Sequence, residues 1–217
     1  IAFDLDDTLV NTSELLVPAA SQQAFEILIQ NGLNLTLEDC EKLRKEKIKT
    51  ISHKDLFIWL AEKYGSEKTK SITDLAIQAF YAPKLPENLH LIEGVEDILK
   101  FLHKKYKLYL VTAGYEKGQM AKIDKLAIKK YFQKIYIVNS LENEKKYHAF
   151  QKIIETEKHS AQDLLCIGNS LSSEIKDGKK IDAAGDIDTI AIDLNGTFTT
   201  GELEVVGDTM PEEMWDY

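Results

Sequence analysis

The first ten residues, Ile-Ala-Phe-Asp-Leu-Asp-Asp-Thr-Leu-Val, restrict the possible folds more than any other stretch of the chain. An apolar opening of the kind that forms a buried strand runs directly into Asp4, Asp6 and Thr8. Carboxylates are seldom buried without a partner, so Asp4 and Asp6 are expected where a strand emerges from its sheet. In open α/β sheets the crevice outside the carboxyl ends of the strands is where ligands bind. Residues two apart on a strand face the same side, and a turn beginning at Asp6 would swing the second carboxylate back toward the first. Two carboxylates held close repel unless a cation or a proton lies between them. The pattern therefore predicts a divalent metal, or a nucleophile with a proton-shuttling neighbour, at the end of the first strand.

Beyond Val10 the character changes. From Ser13 to about Asn88 the pattern is helical and contains no convincing strand. A helix is expected from Ser13 to an αL stop at Asn31-Gly32. A second follows an N-cap at Thr36, with Asp39 three residues on. A third runs from Ser52 to Gly65, and a fourth from about Lys70 to Phe80, where Pro83 and Pro86 forbid continuation. Phe57, Trp59, Phe80 and Tyr81 are read as the core of this bundle. From Leu91 onward strands and helices alternate, with strands expected at 107–112, 135–138, 164–167 and 189–193 and helices between them. Counting the opening strand, five strands joined by helical segments predict a parallel sheet with helices on both faces. The fold expected is thus α/β, with a Rossmann-like core formed by residues 1–12 and 91–217 and a helical domain inserted at residues 13–90. The acidic stretch from Asn195 to Tyr217 shows no periodicity.

Polar residues recur where the expected strands end. Thr112 closes Leu-Tyr-Leu-Val and precedes Ala113-Gly114, whose small size admits a ligand to the backbone; a hydroxyl with nearby N–H groups is a plausible ligand set for phosphate oxygens. Two lysines, Lys145 and Lys146, stand before a helix carrying Ala149, Phe150, Ile153 and Ile154. Gly168-Asn169-Ser170 follows Leu-Leu-Cys-Ile, with Glu174 five residues beyond Asn169. An asparagine can give one carbonyl oxygen to a hard cation, and a glutamate can supply charge.

Taken together, the hydrophobic-Phe-Asp-Leu-Asp-Asp-Thr-Leu string, Thr112, the lysine pair and the Gly-Asn-Ser turn resemble, in order, the four motifs of the haloacid dehalogenase superfamily. That resemblance implies a phosphatase-like hydrolase with an inserted helical, type I cap. It assigns Asp4 as nucleophile, Asp6 as general acid/base, Thr112 as phosphate ligand and Lys145, preferred over Lys146 on its spacing to Phe150, as the phosphate-binding lysine. Mg²⁺ is the implied cofactor, held by Asp4, Asp6, Asn169 and Glu174. The family usually carries Asp where this chain has Asn169, so the metal site is expected to be less negative. The implied activity is hydrolysis of a small phosphorylated metabolite through an aspartyl-phosphate. A phosphomutase, a dehalogenase, or a weakened member that binds a phosphometabolite or protein partner are the alternatives, and Asp6 favours phosphate over halide chemistry.

Bulk composition excludes several classes. With 27 basic and 36 acidic residues the formal charge is −9, so nucleic acid is not an expected partner. No apolar run approaches the ~20 residues of a membrane span. Cys40 and Cys166 are far apart and read as buried thiols, which fits a cytoplasmic protein. A monomer or weak homodimer is expected. Because the chain opens inside a strand, residues are expected to precede Ile1.

Overall fold

The computed structural model describes residues 1–139, 142, 144–170, 173, 176–181 and 189–191. Two compact units are present: residues 1–12 with the described chain from Asn88 onward, and residues 13–87.

In the first unit β1 (Ala2–Phe3), β2 (Tyr109–Ala113), β3 (Lys134–Val138), β4 (Cys166–Gly168) and β5 (Thr189–Ala191) form one sheet of order β3-β2-β1-β4-β5. Every neighbouring pair is parallel, and Phe3 stands opposite Leu110 on one side and Ile167 on the other. Parallel strands need crossovers, usually helical. Here they include α7 (Val95–Leu102), α8 (Glu116–Lys125), α9 (Lys146–Glu157) and α10 (Lys176–Ile181). Helix α9 packs Ala149, Phe150 and Ile153 onto Ala2, Tyr109, Val111, Val138 and Cys166. Since successive side chains alternate across a strand, Phe3 turns to the opposite face, where it meets Phe132 edge-on at 6.4 Å between ring centroids. Both faces are thus covered, which is why β2 is apolar on both sides and buried over its first four residues.

The second unit is helical: α1 (Thr12–Leu15, its first residue from the other unit), α2 (Val17–Gln30), α3 (Leu37–Lys47), α4 (His53–Tyr64), α5 (Glu67–Ser71) and α6 (Thr73–Tyr81). The single helix expected from Ser13 is two, because Pro18 sits in the first turn of α2, where its missing N–H is tolerated and where it cannot continue a preceding helix. Likewise the helix expected from Lys70 begins earlier, at a Ser66 capping box with Thr69, and divides at Ile72. Thr36 caps α3 reciprocally with Asp39, and Ser52 accepts the Asp55 N–H at the start of α4. Gly65 ends α4 in an extended conformation rather than αL; a Cβ there would lie 2.4 Å from the Ala61 carbonyl oxygen, so close approach rather than handedness requires glycine. Phe25, Phe57 and Phe80 form an edge-to-face run at 5.7 and 5.3 Å. Trp59 and Tyr81, expected in the core, are only half-buried. The amphipathic Trp59 ring instead carries Lys47 and Lys63 on its face at 5.1 and 4.8 Å.

Both cysteines are buried, and burial pushes the Cys40 thiol up to about 11. Among the described residues no helix is long and apolar enough to cross a membrane. Residues 171, 172, 174 and 175 of the helix expected at 171–180, the end of the last strand and the whole acidic stretch lie outside the described residues.

Phe150 is 1% exposed at the centre of the α9 interface, whereas Leu75 on α6 is 55% exposed. Phe150→Ala should therefore cost about 3–5 kcal/mol of stability, and Leu75→Ala less than about 0.5 kcal/mol, measured by urea denaturation. A second expectation concerns pH. The His53 ring stacks on Phe80 at 4.4 Å and its buried Nε2 has no hydrogen-bond partner among the described residues. Burial first, then the Arg44 charge, pull its pKa down to about 4 against the opposing pull of Glu41. The unfolded chain takes up this proton near pH 6.5, so stability should fall as pH drops from about 6.5 to 4. Comparing urea midpoints at several pH values in that window, His53→Phe should show a shallower fall than wild type.

Candidate active site

The site is assembled at the carboxyl edge of the central strands. β1 ends at Phe3, and the next N–H, that of Asp4, still donates to the Ile167 carbonyl on β4 at 2.8 Å. Asp4 is thereby anchored at the sheet rim, 6% exposed. Its Oδ1 lies 2.7 Å from Nζ of Lys146, which is 3% exposed. The lysine that reaches Asp4 is Lys146 rather than Lys145: Lys145 is the exposed N-cap residue of α9, in extended conformation, and Lys146 is the first helical residue. Lys146 stands four residues before Phe150, so the two share one helical face, and Phe150 faces the sheet.

Asp6 sits in a tight loop after the strand. The Leu5 carbonyl accepts from the N–H groups of Thr8, Leu9 and Val10, the Asp7 N–H donates to Val10, and Asp7 takes φ 55°, a left-handed conformation that aspartate tolerates better than most residues. Leu5, Leu9 and Val10 are buried beneath this loop. The Asp6 carboxylate then meets three donors: Thr12 Oγ1 on Oδ1 at 2.5 Å, Gln119 Nε2 on Oδ2 at 2.8 Å, and Lys122 Nζ on Oδ1. Burial pushes its pKa up, but the Lys122 charge and the hydrogen bonds from Gln119, Lys122 and Thr12 outweigh it, and the carboxyl is held below its ordinary value.

Thr112 is fully buried near the end of β2, and its Oγ1 accepts from Gln119 Nε2 at 3.1 Å. Asn169 is exposed immediately after β4, and Glu174 lies outside the described residues. The topology thus sets Asp4, Thr112 and Asn169 at the same edge of three adjacent parallel strands.

Two participants were not singled out from the sequence. Gln119 and Lys122 lie three apart on α8, hence on one face, and both are buried. A glutamine and a lysine on the face that also carries buried Ile123 were the available signal. Asp177, 3% exposed on α10, accepts the Tyr147 N–H at 3.4 Å and has Lys180 at 3.6 Å; it supports the start of α9, next to Lys146.

Chemically, the site holds two carboxylates, each paired with one lysine, beside a buried hydroxyl. No cluster of three His, Cys, Asp or Glu side chains suited to a metal occurs among the described residues. The Asp4 carboxylate at the rim and the exposed Asn169 amide after β4 are nevertheless oxygen donors of the type a hard divalent cation takes, and that donor chemistry suits such an ion.

The chain is 29% identical over 188 residues to the glyceraldehyde 3-phosphate phosphatase of Pyrococcus abyssi, covering 83% of this chain and 77% of that protein. Its fold matches the solved structure of the HAD-hydrolase YfnB of Bacillus subtilis bound to magnesium, with TM-score 0.58, 21% identity and coverage of 88% and 85%. It also matches 2-haloacid dehalogenase from Pseudomonas syringae, with TM-score 0.59, 18% identity and coverage of 94% and 90%. Residues 1–185 match the family model described as haloacid dehalogenase-like hydrolase, and the chain belongs to that family.

Proposed function

We propose that this protein is a Mg²⁺-dependent phosphomonoester hydrolase that acts on a small phosphorylated metabolite through an aspartyl-phosphate on Asp4. The observation that carries the reading is the Asp4 carboxylate at the strand rim, ion-paired to the buried Lys146, with the Thr112 hydroxyl near the end of the adjacent strand. The Pyrococcus relative is a phosphatase for a three-carbon phosphate, which supports the substrate class.

In this mechanism an Asp4 oxygen attacks phosphorus, forming the aspartyl-phosphate as the bond to the leaving oxygen breaks. Asp6 gives that oxygen a proton. Water then attacks the phospho-enzyme while Asp6 takes a proton from it, and inorganic phosphate leaves with Asp4 restored. The pairing of Asp6 with Lys122 favours the ionised form that this second half requires and opposes the protonated form that the first half requires, so proton donation to the leaving oxygen draws on the protonated minority of Asp6. Lys146 offsets the negative charge that Asp4 and the phosphoryl group bring together, and Thr112 offers a hydroxyl to a phosphoryl oxygen. A Mg²⁺ ion held by Asp4, the Asp6 carbonyl, Asn169 and Glu174 supplies further charge neutralisation when bound; the Bacillus relative was solved with magnesium. Residues 13–90 serve in this reading as the cap whose side chains select the substrate. The protein acts in the cytoplasm as a monomer or weak homodimer, without a nucleic-acid or membrane partner.

Wild type should hydrolyse p-nitrophenyl phosphate in the presence of Mg²⁺ and lose most activity with chelator. Asp4→Asn should lower kcat by at least about 10³-fold, ~4 kcal/mol in the barrier, read well below the variant's melting temperature, which falls because Lys146 loses its buried partner. Residual activity within about tenfold of wild type would remove Asp4 as nucleophile. The two neighbouring lysines make a sharper test. Lys146→Met should reduce kcat/KM by at least about 100-fold, ~2.7 kcal/mol, whereas Lys145→Met should stay within about threefold. Equal losses in the two variants would mean that neither lysine is specifically placed.

A further inference from the structure

Gln119 is buried at 4% exposure in a place where a nonpolar side chain would be the simpler occupant. Its Nε2 makes three contacts: Asp6 Oδ2 at 2.8 Å, the Ala113 carbonyl at 2.7 Å and Thr112 Oγ1 at 3.1 Å. A carboxylate and a peptide carbonyl can only accept, so the amide orientation is fixed and is not a matter of choosing between nitrogen and oxygen. That orientation leaves Oε1 buried with no partner among the described residues, a cost that calls for an explanation. A second feature is matched to this side chain. A Cβ on Gly114 would stand 2.6 Å from Gln119 Nε2 and 3.2 Å from its Cδ and Cγ. Gly114 therefore leaves the space that the amide fills.

We propose that Gln119 is a positioning residue for phosphoryl transfer, orienting the Thr112 hydroxyl and the Asp6 carboxylate through one amide nitrogen. The physical logic is directional. The amide has two protons for three acceptors, so the contacts at 2.7 and 2.8 Å to Ala113 and Asp6 are the full bonds and the 3.1 Å contact to Thr112 Oγ1 is a shared one; that share turns the hydroxyl proton toward another acceptor, such as a phosphoryl oxygen at the strand rim. The same nitrogen ties down Asp6 Oδ2 while Thr12 and Lys122 hold Oδ1, so the proton-transfer group and the phosphate ligand keep a fixed relation. Gln119 touches no reacting atom itself; it removes rotational freedom from two groups that do. The proposal rests on the phosphatase reading and assigns the residue that ties β2, α8 and the Asp6 loop into one unit.

The test uses the full chain with Mg²⁺ and p-nitrophenyl phosphate, with orthovanadate as a non-reacting probe of the phosphoryl site. Gln119→Met, which keeps the volume and removes the donor, should lower kcat at least about 30-fold, change KM by less than about threefold and weaken vanadate inhibition at least about tenfold, all read well below the variant's melting temperature, which falls as Asp6 Oδ2 and the Ala113 carbonyl lose this donor. Gly114→Ala, which crowds the amide and also strains a backbone held at φ 154°, should show the same split between kcat and KM. Adding Gly114→Ala to Gln119→Ala should cost clearly less than it costs alone. The proposal is overturned if Gln119→Met retains kcat within about threefold, if the lost activity only follows a lowered melting temperature, or if the Gly114 and Gln119 losses multiply in full. If wild type neither turns over the ester nor binds vanadate, the phosphatase reading falls and this proposal falls with it; an active wild type with an indifferent Gln119 removes this proposal alone.

Discussion

The buried ion pair between Asp4 and Lys146 is the interaction that the α/β unit is arranged to hold. Taking two charges out of water costs more than their attraction returns unless geometry is fixed and other polar groups are satisfied, and both partners here are nearly inaccessible. The carboxylate is fixed because β1 lies between two parallel neighbours, which leaves its backbone no freedom at the rim. The ammonium is fixed because Phe150, one turn along the same face, is clamped against the sheet. A cation in the first turn of a helix is unfavourable to the helix itself, since the N-terminal end of the macrodipole is positive. Lys146 is therefore not there for helix stability. Asp177 answers that penalty by bringing a carboxylate to the Tyr147 N–H in the same turn.

The parts of the fold that follow from local chemistry could be read in advance. Thr36 and Ser52 cap the helices they precede, and the apolar runs are strands where alternation with helices places them. Boundaries that depend on a single proline or on competing caps could not be read as easily: Pro18 starts a new helix instead of riding inside one, and Ser66 captures a start that Lys70 was expected to have. The choice between Lys145 and Lys146 turns on one residue of helical phase. Counting distance along the chain from Phe150 favours Lys145; counting faces favours Lys146, because positions four apart lie above one another and positions five apart do not. Gln119 and Lys122 were invisible for a different reason. Polar residues on a helix are ordinarily solvated, and only the tertiary placement of the Asp6 loop makes them partners of a carboxylate.

The two aspartates share a sequence motif but not an environment, and in the proposed mechanism that difference underlies their division of labour. Asp4 continues a strand, so its position is set by the sheet. Asp6 belongs to a loop closed by three N–H groups on the Leu5 carbonyl and pinned by the buried side chains of Leu5, Leu9 and Val10. With its backbone immobilised, Asp6 can alter its aim only by rotating its side chain. Its three donors come from the residue just past the loop and from α8, so such a rotation must exchange bonds with both at once. Two carboxylates with different surroundings can carry different protonation roles. Here the separation is built from backbone as much as from charge: a strand end presents one carboxylate, and a rigid loop with an external cation presents the other.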